Sequence, residues 1–350
     1  MHEKYMKIAI EEAKKGMSNT FTNPLVGAVI VKDGHILSRG AHLEYGYEHA
    51  EHNAISKTHS PEDLLNSTLY VTLEPCAHFG KQPPCTQLIV QSGIKTVVIG
   101  QLDPNPIVRG KGVDYLEENG IEVIIGINEK EVRQLNSHYN FMHENSRPYI
   151  VLKQSITLDG KITMNDNQRT SITDYEVWEA VHEERGNYHG IVVGSETVLT
   201  DNPTLLTTKN TKFPPVRIIL DRRGRTLNKE LNIFEENSSK VLIFTEANIT
   251  AQLPPHVEVI KKQQLSLPDV INLLAERNIQ SLYVEGGGRL HDSFLENELW
   301  DEVFTYISPK IFGGKSLTSF RSNRTVKNAT TLKSVQMEKI GEDFKIVGKR

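Results

Sequence analysis

Short apolar runs rich in valine and isoleucine alternate with segments of helical periodicity along the chain. In the first half, the runs at 69–73, 96–100 and 121–125 are separated by two amphipathic stretches, and each stretch ends at a glycine, as helices commonly do. Strands that alternate with helices predict a mostly parallel sheet with helices on both faces. The sequence therefore predicts the α/β fold class.

The start of the chain predicts a helix, a hairpin and a second helix. Apolar residues recur at spacings of three and four over 6–17, which indicates a short amphipathic helix. The apolar run at 25–31 is followed by Asp33-Gly34, a dipeptide that favours tight hairpins, so two antiparallel strands are expected there. Another helix is expected over 49–57.

The length of 350 residues is more than twice a typical domain of about 150, so two domains are expected. A helix predicted over 129–142 runs into a polar stretch at 143–148, which places the boundary near Ser146. The second half then restarts the alternation and closes with a hairpin. Its predicted strands are 149–154, 190–194, 216–220, 240–245, 281–285 and 302–308, its predicted helices are 174–185, 267–277 and 290–297, and the hairpin covers 335–347.

Charge and hydropathy exclude several classes of partner. The chain has 40 Lys and Arg against 44 Asp and Glu, a net charge of −4 without basic runs, so nucleic acid is not a favoured partner. No stretch approaches the roughly 18 apolar residues that cross a bilayer, and the first residues do not form a signal peptide. We expect a cytoplasmic protein with a small-molecule substrate, no membrane partner and a homo-oligomeric assembly.

One histidine and two cysteines form a candidate metal cluster. His49 starts a predicted helix, Cys76 opens a loop further along, and Cys85 closes that loop at the start of another helix. Zinc is usually held tetrahedrally by nitrogen and thiolate ligands, and a site with three protein ligands keeps its fourth position for water. Two cysteines in one loop do not fit a secreted disulfide framework. The cluster therefore predicts a catalytic zinc ion.

Glu51 is the predicted catalytic residue of this site. It lies two residues from His49, so it can reach the water and move its proton without being a ligand. Taken singly, a histidine before Ala-Glu is more often structural, and two cysteines can be small buried side chains. Taken together, His-Ala-Glu followed by Pro-Cys and a second Cys matches the zinc deaminase signature.

At these motifs the chain resembles the bifunctional riboflavin biosynthesis proteins, in which a pyrimidine deaminase is fused to a pyrimidine reductase. The most specific mark is the long cysteine spacing in PCAHFGKQPPC at 75–85, because related deaminases usually have Pro-Cys-x-x-Cys. The resemblance covers essentially the whole chain. Its other motifs lie at 22–27, 40–42, 103–106 and 110–112 in the first half, and at 152–153, 157–161, 172–173, 194–197, 201–203 and 284–287 in the second.

The resemblance implies two reactions on one pathway intermediate. Residues 1–146 would form a cytidine-deaminase-like α/β/α domain that removes the 2-amino group of 2,5-diamino-6-ribosylamino-4(3H)-pyrimidinone 5′-phosphate by zinc-dependent hydrolysis. Residues 147–350 would form a dihydrofolate-reductase-like α/β domain that uses NADPH to reduce the ribosyl group to ribityl. The product would be 5-amino-6-ribitylaminouracil 5′-phosphate.

Polar residues near the metal motifs predict the deaminase substrate site. The amide of Asn23 and the imidazole of His42 suit the edge of a pyrimidine ring, while Asp103 and Asn105 suit the ribose or the ring, a plain turn being the alternative for these two. Cations for the phosphate are Lys81, Arg109 and Lys111. The loop reads Gly-Lys-Gln at 80–82, where many family members have Thr in the third position.

The run Val284-Glu285-Gly286-Gly287-Gly288 follows a predicted strand and opens a helix, which suits phosphate binding by backbone amides or a simple turn. The resemblance implies that residues 287–293 take the cofactor phosphates. Arg222 could contact the 2′-phosphate of NADPH, although a solvated turn is the favoured interpretation there. The implied cofactor residues are Ser155, Thr197, Asp201, Gly287, Gly288, Arg289, Leu290, His291, Asp292 and Ser293, and Ser171 and Arg222 are further candidates. The implied substrate residues are Lys153, Arg169, Arg185, Leu205 and Glu285, and Thr208 is a further candidate.

Two positions depart from the family pattern: Ser171 replaces a tryptophan, and Thr208 replaces an arginine. Two other hypotheses compete with the bifunctional enzyme. One is a nucleic-acid or nucleoside zinc deaminase with a regulatory nucleotide-binding second domain. The other is a non-enzymatic module that keeps zinc for structure. The acidic net charge, the long cysteine loop and the attached second domain argue against a nucleic-acid deaminase. Glu51→Ala discriminates the second hypothesis, because it should abolish ammonia release from an enzyme but change nothing in a binding module.

Overall fold

The structure, a computed structural model, describes residues 1–78, 83–164, 170–235, 238–249, 251–314, 316–322 and 324–350. The chain divides into two compact units, Met1–Ser146 and Arg147–Arg350. No helix in these described ranges combines the length and the apolar character that a bilayer crossing requires.

The first unit is a five-stranded sheet in the order β2-β1-β3-β4-β5 with helices on both faces. Strands β3, β4 and β5 are parallel, whereas β1 is antiparallel to both β2 and β3. Its elements are α1 (His2–Ala13), β1 (Gly27–Lys32), β2 (His35–Ala41), α2 (Ala50–Ser56), α3 (Pro61–Leu64), β3 (Thr68–Leu73), α4 (Cys85–Gln91), β4 (Thr96–Gln101), α5 (Lys111–Glu118), β5 (Glu122–Ile125), α6 (Glu129–Leu135) and α7 (Ser137–Asn145).

Alternating residues of β1 show how both faces of this sheet are buried. Ala28 and Ile30 join one apolar cluster with residues of α2, while Val29 and Val31 join another with residues of α1. All four side chains are buried. A strand covered on both faces needs a continuous apolar run, which is the pattern of this segment.

One predicted helix of the first unit is two helices in the structure. The segment expected to be helical over 129–142 breaks at Asn136, between α6 and α7. The Asn136 side chain accepts a hydrogen bond from the Leu25 backbone N–H at 2.8 Å and donates one to the Leu25 carbonyl at 2.8 Å. Asparagine side chains that bond to backbone compete with helix continuation. The break follows from this long-range contact, which local periodicity does not record.

The second unit is a nine-stranded sheet in the order β10-β9-β8-β7-β11-β6-β12-β14-β13. The seven strands from β10 to β12 are parallel to one another, and β14 and β13 continue the sheet as an antiparallel hairpin. Its elements are β6 (Tyr149–Thr157), α8 (Tyr175–Arg185), β7 (Gly190–Gly194), α9 (Ser195–Asp201), β8 (Val216–Leu220), α10 (Asn232–Glu235), β9 (Val241–Thr245), β10 (Val257–Lys261), α11 (Leu267–Glu276), β11 (Ser281–Val284), α12 (Gly288–Glu296), β12 (Glu302–Ser308), β13 (Lys333–Ile340) and β14 (Asp343–Lys349).

The predicted core strands of this unit are present, and the sequence missed short or edge elements. Strand β10 at the sheet edge and helix α9 after β7 were not predicted. Strand β10 has no buried residue, and α9 is only seven residues long. Both therefore lack the long apolar periodicity on which prediction depends.

Candidate active sites

The three predicted metal ligands come together in the first unit. His49 precedes α2, and Cys85 is the first residue of α4. The Nδ1 atom of His49 lies 3.6 Å from the Cys76 Sγ atom and 3.3 Å from the Cys85 Sγ atom, and the three donor atoms lie within 4.8 Å of one another. Nitrogen and sulfur ligands around tetrahedral zinc are about 3.6 Å apart. The donor set and its spacing fit a zinc ion.

The surroundings of Cys76 favour its thiolate form. A hydrogen bond from the Cys85 thiol, and contacts with His49, lower the pKa of Cys76 to about 4 against the opposing effect of burial. The same pairing, together with burial, raises the pKa of Cys85. The first N–H of α4, that of Cys85, points at the Cys76 sulfur at 3.4 Å. A sulfur placed at a helix start gains from such contacts, and a thiolate is the form that binds metal.

Glu51 lies on α2 beside these ligands and is only 3% exposed. Burial raises the pKa of its carboxyl to about 7, with the positive His49 acting in the opposite direction. A carboxyl with a pKa near neutrality can both accept and release a proton under physiological conditions. The environment therefore suits the predicted role in proton transfer.

Asn23 and His42 adjoin the metal cluster. The Asn23 Nδ2 atom lies 3.2 Å from His42 Nε2, and the other ring nitrogen of His42 lies 2.9 Å from the Glu48 carbonyl. Burial lowers the pKa of His42, so the ring is held neutral, with Nδ1 donating to the carbonyl and Nε2 accepting from Asn23. The rings of His42 and His49 are 5.6 Å apart, which places both predicted substrate residues next to the metal ligands.

The segment after β4 carries Asp103 and Asn105. The Asp103 carboxylate accepts a hydrogen bond from the Asn105 N–H at 2.9 Å and one from the Tyr139 hydroxyl at 3.1 Å, and burial raises its pKa. Tyr139, on α7, has no signal in the sequence because only the tertiary structure brings it here. Arg109 and Lys111 are exposed. Lys81 lies outside the described residues.

Three of the predicted reductase substrate residues form one charged cluster. The Glu285 carboxylate accepts hydrogen bonds from Arg185 Nε at 2.6 Å and Nη2 at 2.9 Å, and it lies 3.9 Å from Lys153 Nζ. Burial opposes ionisation of Glu285, but the Arg185 charge and its hydrogen bonds lower the pKa to about 2. Burial lowers the pKa of Lys153. This cluster can bind hydroxyl and phosphate groups of a sugar phosphate.

The other predicted reductase substrate residues are placed differently. Leu205 is buried beside the segment whose Leu206 carbonyl accepts a hydrogen bond from Arg185 Nη1 at 2.9 Å. Thr208 is exposed, and its backbone N–H donates to the His182 carbonyl at 3.2 Å. Leu205 is therefore joined to the charged cluster through its neighbour. Arg169 lies outside the described residues.

In the glycine run after β11, a side chain would fit at Gly287 but not at Gly288. A Cβ atom built on Gly287 meets no atom within 4 Å, whereas one on Gly288 would lie 2.8 Å from the Ser319 carbonyl oxygen. Gly287 precedes α12, a helix of nine residues. An open glycine at such a helix start fits a cofactor phosphate. Gly288 is required because the segment around Ser319 approaches it closely.

Two residues of α12 predicted to bind cofactor phosphates have protein partners for their side chains. The Asp292 carboxylate accepts a hydrogen bond from Arg324 Nη1 at 2.9 Å and one from the Arg321 N–H. The His291 Nε2 atom lies 3.2 Å from the Val284 carbonyl. Both side chains are buried. Contacts of these two positions with a cofactor would have to come from the backbone, whereas Arg289 is exposed and Ser293 is half-buried.

The remaining predicted cofactor residues are spread over several elements. Ser155 lies on β6, and Thr197 and Asp201 lie on α9 after β7. These three positions are half-buried, whereas Ser171 is exposed. Arg222 is exposed and lies 3.6 Å from Glu246. Ser155 belongs to β6, and Thr197 and Asp201 follow β7. Both strands are direct neighbours of β11 in the sheet.

The buried His291 makes stability depend on pH. Burial lowers its pKa to about 4, whereas the unfolded chain has an ordinary value near 6.5. As the pH falls from about 6.5 to about 4, the unfolded chain gains a proton that the folded chain does not, so the free energy of unfolding falls by about 3 kcal/mol. His291→Gln should flatten this dependence. Urea unfolding followed by the fluorescence of Trp178 and Trp300, both in the second unit, measures it; an unchanged pH dependence in the variant would contradict the expectation.

Comparison with known proteins identifies the family of each unit. Residues 1–101 match the cytidine and deoxycytidylate deaminase zinc-binding region, and residues 148–346 match the RibD C-terminal domain. The riboflavin biosynthesis protein RibD of Bacillus amyloliquefaciens is 39% identical, with 99% of this chain and 95% of that protein covered.

Solved structures also resemble nearly the whole chain, and two of them serve as examples. One is a diaminohydroxyphosphoribosylaminopyrimidine deaminase/5-amino-6-(5-phosphoribosylamino)uracil reductase from Thermotoga maritima, 42% identical with a TM-score of 0.88, and the other is Acinetobacter baumannii RibD, 30% identical with a TM-score of 0.89. In both cases, 99% of this chain and 98% of the other are covered.

The first unit is thus a zinc-binding deaminase domain of the cytidine deaminase type, and it is joined to a reductase domain with a dihydrofolate-reductase-like α/β fold. The predicted fold class is confirmed. The chain belongs to the RibD family of riboflavin biosynthesis proteins. It is a bifunctional enzyme, a hydrolytic deaminase and an NADP-dependent reductase, and the alternative of a nucleic-acid deaminase with a regulatory domain is not favoured.

Proposed function

We propose that the two units catalyse consecutive steps on one pyrimidine ribosyl phosphate. Residues 1–146 remove the 2-amino group of 2,5-diamino-6-ribosylamino-4(3H)-pyrimidinone 5′-phosphate, and residues 147–350 reduce the ribosyl group of the deaminated product to ribityl with NADPH. The observation that carries the proposal is the cluster of His49, Cys76 and Cys85 beside the buried Glu51. The names of the similar Thermotoga maritima protein include the same two activities.

In the deamination, His49, Cys76 and Cys85 hold the zinc ion, which when bound makes a water molecule nucleophilic at neutral pH. Glu51 accepts a proton from the attacking water and delivers one to the 2-amino group, which leaves as ammonia. Asn23 and His42 orient the pyrimidine ring by its edge, and Asp103 and Asn105 bind the ribose or the ring. Lys81, Arg109 and Lys111 attract the phosphate.

In the reduction, NADPH supplies the hydride, and the residues of the second unit align donor and acceptor. Lys153, Arg185 and Glu285 bind the substrate, together with Arg169, Leu205 and Thr208. The open backbone at Gly287 receives a cofactor phosphate. The rest of the cofactor site consists of Gly288, Arg289, Leu290, His291, Asp292 and Ser293 with Ser155, Ser171, Thr197, Asp201 and Arg222.

The assembly and the compartment form part of the same proposal. We place the enzyme in the cytoplasm as a homo-oligomer. The two free cysteines support this compartment, because a reducing environment keeps both thiols available for the metal. Equilibrium sedimentation of the zinc-loaded chain measures the oligomeric state.

The experiment that tests the function follows ammonia and NADPH together. The zinc-loaded chain is expected to release one ammonia for each NADPH oxidised when given the diaminopyrimidine ribosyl phosphate. After zinc removal, both signals from this substrate should disappear, while NADPH oxidation with the deaminated pyrimidine continues. Release of ammonia from transfer RNA, with none from the pyrimidine, would contradict the proposal.

A further inference from the structure

A buried carboxylate next to the zinc ligands takes no part in the steps above. Glu74 follows β3, lies two residues before Cys76 and is 7% exposed. Its Oε2 atom accepts hydrogen bonds from the backbone N–H groups of Asp103 at 3.1 Å and Gly110 at 3.0 Å, and its Oε1 atom accepts one from Gly112 at 2.8 Å. One side chain therefore holds the segment 103–112 at three points.

The segment 103–112 also packs directly against Glu74 and Pro75, the two residues that precede Cys76. A Cβ atom on Gly112 would lie 2.2 Å from the Pro75 carbonyl oxygen and 3.0 Å from the Glu74 side chain. The Glu74 N–H also donates to the Gln101 carbonyl at 3.0 Å. Because only glycine permits this approach, the position of 103–112 relative to Pro75 and the adjacent Cys76 is set by backbone contacts and by the Glu74 carboxylate.

Two cations lie within the held segment. Lys111 stands between Gly110 and Gly112, whose N–H groups both bond to Glu74, and Arg109 immediately precedes them. Both cations are exposed. Among the described residues, no ion pair engages either of them. Their charges are therefore available to an anionic group of a ligand at the deaminase site.

We infer that Glu74 is a positioning residue that places Arg109 and Lys111 for the substrate 5′-phosphate, and so sets the preference of the deaminase for phosphorylated substrate. The inference rests on the proposed function. Glu74 itself touches neither the phosphate nor the reacting atoms. Its two carboxylate oxygens accept hydrogen bonds from three backbone N–H groups and so fix the backbone of 103–112. This fixed backbone places the two cations where they can contact the phosphate.

An amide cannot replace the carboxylate in this role. In Glu74→Gln, the oxygen can accept two of the three N–H groups, but the NH₂ group then faces the third donor. A buried donor left without an acceptor is destabilising, and the segment can relieve this loss by shifting away. The zinc ligands are held by one another and by α2 and α4, so metal binding should persist.

The test compares two substrates on the full zinc-loaded chain: the diaminopyrimidine ribosyl 5′-phosphate and the same compound without phosphate. Ammonia release gives kcat/KM for each, and their ratio does not depend on the active fraction of the preparation. Glu74→Gln should lower this ratio about tenfold or more, mainly through KM of the phosphorylated substrate. Zinc content and NADPH oxidation with the deaminated pyrimidine should remain unchanged. The control is Glu118→Gln, an exposed carboxylate on α5, which should leave the ratio unchanged.

Arg109 and Lys111 are exposed, so the variants Arg109→Gln and Lys111→Gln are expected to fold. Each substitution should lower the same ratio. An unchanged ratio in these two variants overturns the inference even if Glu74→Gln does not fold. An unchanged ratio in a folded Glu74→Gln chain also overturns the inference about Glu74. The proposed function is not affected by that result as long as the wild-type chain deaminates the substrate. Absence of ammonia from both substrates with the wild-type chain would instead overturn the proposed function.

Discussion

Replacing Glu51 by glutamine is expected to slow ammonia release by about 10²–10⁴-fold, the usual contribution of a positioned proton-transfer group. The amide has the size of the carboxyl but cannot accept the proton of the attacking water. Zinc content should stay at one ion per chain, because Glu51 is not among the three donor groups. Ammonia release and bound zinc, measured on the same preparation, test this expectation.

The reductase provides an internal control for this variant. NADPH oxidation with the deaminated pyrimidine should be unchanged in Glu51→Gln, since the reductase cluster lies in the other unit. Glu48→Gln, a nearby carboxylate that is 45% exposed, should retain deamination. Deamination within tenfold of wild type in Glu51→Gln would assign proton transfer to another group.

Glu285→Gln is expected to destabilise the second unit by about 3–5 kcal/mol, because it leaves Arg185 and Lys153 as buried cations without their carboxylate. Their side chains are 9% and 13% exposed, so water compensates little of the loss. NADPH oxidation should fall with it, while deamination continues. Urea unfolding followed by tryptophan fluorescence reports this unit selectively, because Trp178 and Trp300 both belong to it.

The matched control for this variant is Glu298→Gln. Glu298 also pairs with an arginine, Arg350, at 2.7 Å, but its side chain is 76% exposed. Exposed ion pairs contribute about 0–1 kcal/mol, so the control should unfold close to the wild-type urea concentration. Equal stability of Glu285→Gln and the control would show that the buried cluster is not held by its charges.

The candidate zinc ligands show how much of the site can be predicted from the sequence alone. His49, Cys76 and Cys85 were predicted from residue type and spacing, and the structure brings their donor atoms within 4.8 Å. Their convergence could be predicted because each of the three residues lies at a helix start or in a short loop, where local sequence patterns are informative. The reductase residues were implied only by family resemblance, because Lys153, Arg185 and Glu285 come from three distant elements.

The contacts of Tyr139 and Glu74 were not predicted, because their partners lie far away in the sequence. Tyr139 bonds to Asp103 across 36 positions of sequence, and Glu74 bonds to Gly112 across 38. The direction of the Asp292 and His291 side chains, toward protein partners, likewise had no local signal. Periodicity records which face of an element is buried, but it does not record which neighbour lies against that face.

The sequence by itself determined the α/β class, the three residues that form the candidate metal site, and the family to which the chain belongs. Only the tertiary structure decided the antiparallel start of the first sheet, the break at Asn136 and the contacts of Glu74. Local composition specifies elements because apolar burial and capping act over a few residues. Pairing of strands and partners of buried polar groups depend on contacts between segments far apart in the chain, which become defined only when the core is packed.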